Sequence, residues 1–278
     1  MFRCLGPRMI GIEQPFSNCA ALASQYGFEG IQVDLDYLLT HGVEDYDSIL
    51  DKHDLLSGSF GLPFRFDSAE EEYDEGIERL PEIATKASQI GCSRASTYIM
   101  SFSDERPFDE NFAFHEERLQ PVAEVLADYD ISLALEFLGP ETIREGYEYE
   151  FIHTAAGMLE LCDSIGDDVG LLLDSWHWYT SGDDAETLRS LAPEDVVDVH
   201  INDAPDRPRE EQIDNERELP AATGVIDIAT FLGELSRTGY NGPITAEPFS
   251  DELAAMEAEK AVSTIKSAFD DAWETAGL

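Results

Sequence analysis

Four apolar segments of this chain each run into a side chain able to hold a cation. SLALEFLG (132–139) carries Glu136, VGLLLDSW (169–176) carries Asp174, VVDVHIN (196–202) carries His200, and PITAEPF (243–249) carries Glu247. A charge at the end of an apolar strand is costly unless it is paired or bound to a counter-ion. Three carboxylates and one imidazole brought together would repel, and one divalent ion resolves that repulsion. Oxygen-rich ligation with a single nitrogen suits Mn²⁺, Mg²⁺, Co²⁺ or Zn²⁺, and the ligand types do not choose among them. Taken singly, each residue has a plainer reading. Either glutamate can be a rim salt-bridge residue, His200 a satisfied core histidine, and Asp174 the cap of the following turn. The recurrence of ligand types on four successive strand ends is what points to a shared site.

Other groups lie close in sequence. His177 follows Asp174 by three residues, between Trp176 and Trp178. It either reaches a cleft to bond a substrate or packs within an aromatic rim. Trp176, Trp178 and Tyr179 have the shape to wall a sugar-sized pocket, although aromatic residues more often build cores. The polar segment 203–224 shows no strong helical period and carries Arg207, Arg209 and Arg217. Loops of that length inside compact domains are usually functional or disordered. Arg217 is the arginine expected to enter the cleft, with the loop as a partial cover.

Elements must exist to position these groups. Eight apolar runs alternate with helical stretches: RCLGPRMIGI near the start, GIQVDL (30–35), LLSGSFGLPF (55–64), CSRASTYIM (92–100), and then SLALEFLG, VGLLLDSW, VVDVHIN and PITAEPF. Strands alternating with helices indicate parallel pairing. Eight units predict a closed α/β (β/α)8 TIM barrel, a single domain over residues 1–278. An open doubly wound sheet is the alternative, weakened because no G-x-G-x-x-G or P-loop follows the first strand. In a barrel, the C-terminal ends of the strands carry the chemistry. Leu80, Ile83, Ala84 and Ala87 form one helix face, with Ser68 and Glu71 as a capping box and Gly91 as a stop. Ile228, Phe231, Leu232 and Leu235 form another, capped by Asp227. Val262, Ile265, Phe269 and Trp273 predict a last helix against the barrel's outside. Pro121 is expected to kink or shorten its helix.

Composition narrows the function classes. The formal net charge is −42, from 59 acidic against 17 basic residues, spread along the whole chain. An apolar fraction of 43% and clear periodicity argue against disorder as the cause. The expected reading is a halophilic surface, where concentrated salt screens self-repulsion. Such a charge opposes nucleic-acid binding. No apolar run is long enough for a membrane span, and MFRCLGPRMIGIEQ lacks a signal peptide's apolar stretch. A soluble, cytoplasmic protein is expected, with four unpaired buried cysteines. Homo-oligomerisation is left open.

The segments ALEFLGP, VGLLLDSWHWYTSG, VHINDAPDRP, NERELP followed by GVIDIATFL, and GYNGPITAEPF resemble the xylose-isomerase-like TIM-barrel superfamily. They are most similar to its inosose (2-keto-myo-inositol) isomerase branch of sugar isomerases and epimerases. The resemblance covers about Ile131 to Ser250. It implies that Glu136, Asp174, His200 and Glu247 ligate one divalent metal, with Glu136 and Glu247 doubling as the acid/base pair. It further implies that His177 and Arg217 face a small sugar or inosose substrate, and Trp176 is the aromatic expected to line the pocket beside them. Relatives usually carry a glycine-rich turn where this chain reads LPAATG (219–224). The expected reaction is isomerisation or epimerisation of a polyhydroxy ketone, with manganese among the candidate ions. An inosose dehydratase-type lyase is the alternative. An abasic-site endonuclease of the same superfamily is disfavoured, because 55–64, 92–100 and 203–224 contain no histidine.

Overall fold

A computed structural model describes residues Met1–Leu278. All eight predicted runs contain strands: β1 (Phe2–Leu5), β2 (Gly30–Ile31), β3 in two pieces (Leu56–Ser57 and Phe60–Gly61), β4 (Arg94–Ile99), β5 (Ser132–Phe137), β6 (Val169–Asp174), β7 (Val196–Ile201) and β8 (Pro243–Ala246). Every pairing among them is parallel, and β8 pairs with β1. The first piece of β3 pairs with β2 and the second with β4, so the sheet closes across Gly58-Ser59. A Cβ on Gly58 would meet the Cys4 sulfur at 2.8 Å, so only glycine lets the break pass that close to β1. The result is the expected (β/α)8 barrel, with a small antiparallel ribbon, Phe102–Ser103 with Tyr149–Glu150, added at the rim.

Helices form the outer layer through amphipathic faces. In Glu70–Gln89 the buried residues include Leu80, Ile83, Ala84 and Ala87. Ile228–Thr238 buries Ile228, Phe231, Leu232 and Leu235, and Asp227 caps it by accepting from the Thr230 N–H. Ala258–Ala276 buries Val262, Ile265 and Phe269, while Trp273 is only partly buried and packs at a tilt against Phe269. Each large apolar side chain so buried contributes about 1.5–3 kcal/mol.

One local expectation fails and another is narrowed. Ser68 and Glu71 form no capping box: the helix starts at Glu70, and the Ser68 hydroxyl donates to the Arg65 carbonyl instead. Pro121 does not shorten its helix, which runs unbroken over Phe108–Ala127. Gly91 does stand in a left-handed conformation just past the helix end. The four cysteines are buried and unpaired, and no helix is long and apolar enough to cross a membrane.

Candidate metal centre and active site

The strand ends converge. Glu136 lies in β5, Asp174 ends β6, His200 sits in β7, and Glu247 follows β8 directly. Register places His200 beside both Asp174 and Thr245. A register irregularity between Val196 and Asp198 separates the lower part of β7 from the segment that carries Asp198 and His200. One ligand atom from each of Glu136, Asp174, His200 and Glu247 falls within 4.8 Å of the others. His200 Nδ1 is 3.6 Å from Glu247 Oε2 and 4.0 Å from Glu136 Oε1.

These donors fit a divalent cation. Glu136 Oε1 and both ring nitrogens of His200 are buried with no hydrogen-bond partner. Buried polar atoms are rarely left so, and a shared ion would satisfy Glu136 Oε1 and one ring nitrogen of His200. Burial, together with the Glu247 charge, lifts the Glu136 carboxyl well above the usual carboxylate range. Burial opposes ionisation of Glu247 too, but His200 and Arg217 outweigh it and hold Glu247 below its usual value. Burial raises Asp174 against the pull of Arg217. His200 resists burial's effect, because Glu247, Asp198 and Glu136 push it up to about 10. In the ion-free protein, therefore, ionisation is disfavoured at Glu136 and favoured at Glu247.

Arg217 enters the cluster from the 203–224 loop and is only 7% exposed. Its Nη1 donates to Asp174 Oδ2 at 2.8 Å and to Glu247 Oε2 at 3.0 Å, and its Nη2 donates to Asp214 at 2.9 Å. The guanidinium lies 4.5 Å from the Phe249 ring centroid and 5.5 Å from that of Trp176. Trp176 itself is fully buried, so it meets the site through Arg217. Trp178 packs away against Phe231, and Tyr179 lies under Arg209. Arg207 pairs with Glu216 at the surface.

His177 is wholly buried in the helix Ser175–Ser181, whose N-cap is Asp174. Asp174 thus caps the turn and joins the cluster. Gly139 N–H donates to His177 Nδ1 at 3.2 Å, and Arg217 Nη2 lies 3.3 Å from His177 Nε2. That nitrogen faces Glu136 Oε1 at 3.8 Å and Asp214 at 3.9 Å. Burial, then Arg217, pushes His177 well below the usual histidine range, which keeps it neutral. Gly139 is required here: a Cβ would meet the His177 carbonyl at 2.4 Å.

Sequence reasoning passed over Asn202, Asp203 and Asp214. Asn202 Nδ2 lies 3.1 and 3.2 Å from the two Asp174 oxygens, and its Oδ1 accepts from the Glu247 N–H at 3.1 Å. An amide two residues beyond a candidate ligand histidine is the signal that could have found it. It also passed over a polar chain across the barrel interior, in which Gln32 donates to Thr245 at 2.9 Å and Ser59 bonds Gln32 and the buried Asp198.

A cleft of about 960 Å³ lies over the first strands and is lined by Arg8, Glu13, Gln32, Asp34, Asp36 and Ser59 among others. None of the four clustered groups lines it. Gln32 joins the two regions, because its partner Thr245 stands beside His200 and two residues before Glu247.

Residues 20–268 match the family described as Xylose isomerase-like TIM barrel. An inosose isomerase of Bacillus velezensis is 23% identical over 253 residues, covering 88% of this chain and 87% of the relative. An inosose dehydratase of Histophilus somni is 27% identical over 272 residues, covering 91% and 89%. A solved xylose isomerase domain protein from Alicyclobacillus acidocaldarius superposes with a TM-score of 0.90 at 27% identity, over 100% of both chains.

Proposed function

Since the chain belongs to the xylose isomerase-like TIM-barrel family and is an enzyme of its isomerase and epimerase kind, we propose that it moves a proton between carbons of a neutral polyhydroxy ketone. The candidate substrates are an inosose or an unphosphorylated ketose. Glu136, Asp174, His200 and Glu247 would hold one divalent ion (Mn²⁺, Mg²⁺, Co²⁺ or Zn²⁺), with Asp174 and His200 mainly as holders. When bound, such an ion supplies positive charge beside the oxygen on which negative charge develops.

The observation carrying this reading is the contrast between two carboxyls of one cluster. In the ion-free cluster, ionisation is favoured at Glu247 and disfavoured at Glu136. Groups of one type pushed apart in this way suit paired acid and base roles. Glu247 takes the proton on carbon next to the carbonyl. Glu136 delivers one to the neighbouring carbon or the opposite face. His177, kept neutral by burial and Arg217, stands beside Arg217 and Glu136 on the substrate side of the cluster. Arg217 stabilises oxyanion character from the loop side, and the loop limits water.

Charge within the cleft supports a neutral substrate. Arg8 is taken up by Asp34 and Asp36, Glu13 adds another acid, and Arg79 is the only other cation in the lining. A phosphate or carboxylate on the substrate would meet net negative walls.

A proton-exchange screen tests the proposal. The Mn²⁺-loaded protein is incubated with inososes and ketohexoses in D₂O at high salt, and deuterium on carbon is followed by NMR. Incorporation with unchanged heavy-atom composition supports it; no incorporation with any of them removes it. The second reading, a lyase that expels water, is favoured by the long alignment with the dehydratase. A product lighter by one water would establish it instead.

A further inference from the structure

The 203–224 loop presents an electrostatic problem. Its acids outnumber its three arginines, and it lies against a cluster of three carboxylates. Only Arg217 is drawn inward, while its neighbours Glu216 and Glu218 are repelled. Something other than charge attraction must hold the loop down.

Asp203 has the required geometry. It stands just past the end of β7 and is fully buried. Its Oδ1 accepts from the N–H groups of Ala204 at 2.8 Å and Ile226 at 2.9 Å. Its Oδ2 accepts from Thr223 at 2.9 Å and Gly224 at 2.7 Å. Its own backbone forms a reciprocal pair with Glu218, at 2.9 and 2.8 Å. One residue therefore grips the loop's start, its end, and the position next to Arg217. A carboxylate offers about four acceptor sites. All are used by backbone amides, so Asp203 has no capacity left for an ion or substrate. Thr223 reinforces the closure by donating to the Ala204 carbonyl at 2.7 Å.

We infer that Asp203 is a positioning residue for the reaction: by gathering four backbone N–H groups, it pins the loop so that the Arg217 guanidinium lies between Asp174 and Glu247. The functional consequence rests on the metal-centre reading above; the clamp itself does not.

The test uses Asp203→Asn, which keeps the shape but replaces one acceptor oxygen with a donor facing two N–H groups. Ion-free protein is labelled with phenylglyoxal, and each arginine's modification rate is read by mass spectrometry. Arg217 should react about tenfold faster in Asp203→Asn than in wild type, because local opening exposes it, while the already exposed Arg8 is unchanged. An unchanged Arg217 rate in folded Asp203→Asn overturns the inference. If that variant does not fold, Thr223→Pro, which deletes one amide donor at an exposed position, should accelerate Arg217 labelling in the same sense; an unchanged rate there overturns it equally. Calorimetry with Mn²⁺ gives the coupling to the site. Arg217→Ala should tighten Mn²⁺ binding by about tenfold, because a cation is removed beside the ion. Asp203→Asn should tighten it in the wild-type background and add nothing in the Arg217→Ala background. An equal gain in both backgrounds shows that Asp203 acts by another route. Absence of Mn²⁺ binding in wild type would defeat the metal reading while leaving the labelling result to judge the clamp.

Discussion

The two halves of the barrel do different work. Strands β4 to β7 are each six residues long, and β5 to β8 supply or lead into all four clustered groups. Strands β2 and β3 offer only two-residue pairings, and the loops around β1 to β3 line the cleft. Longer ladders fix side chains through more backbone bonds, so the half that handles charge is the better braced. The sparser half leaves room for a ligand. Precision and access are separated along the chain, and Gln32 to Thr245 is the contact where they meet.

Salt should act on both halves at once, because self-repulsion from a net charge of −42 is not local. On transfer from molar KCl to dilute buffer, far-UV circular dichroism should show cooperative loss of structure; an unchanged spectrum would count against a halophilic surface. Mutations should then separate the halves. Glu247→Gln is expected to lower kcat by about a thousandfold or more with the fold intact, and full activity would remove it as the base. Chelation should likewise abolish turnover, with Mn²⁺ restoring it. Ion binding should also depend on pH. His200 is held charged up to about 10, so an incoming ion must displace its proton. Mn²⁺ affinity, measured by calorimetry, should therefore fall by at least about tenfold for each pH unit lost below that value, and more steeply where Glu136 must also give up a proton; a flat profile between pH 7 and 9 would show that His200 does not ligate. The smallest effect belongs to the access half. Gln32→Ala should raise KM by about tenfold and change kcat little, the loss of roughly one hydrogen bond. A collapse of kcat instead would place Gln32 in the chemistry and blur the division.

Much of the fold was legible because its signals are local. Each strand is a short apolar run, and each helix face repeats with the helical period. Four ligand types at four strand ends needed only the barrel to bring them together. Asn202, Asp203 and Asp214 were not legible for the opposite reason. Their roles depend on partners 20 to 45 residues away or on the path of an irregular loop, and no periodicity marks them. Ser68 misled because a hydroxyl has competing backbone acceptors, and the Arg65 carbonyl was nearer. The LPAATG turn hid its cost: Ala221 takes φ +61°, a left-handed backbone more usual for glycine.

The break in β3 has a consequence for how the enzyme could diversify. At Gly58-Ser59 the cylinder is fastened by two residue pairs on each side. Such a fastening can gape or tighten through changes in adjoining loops without disturbing the distant ligands. New substrates could thus be admitted by re-tailoring one hem of the wall, while the four clustered side chains stay as they were.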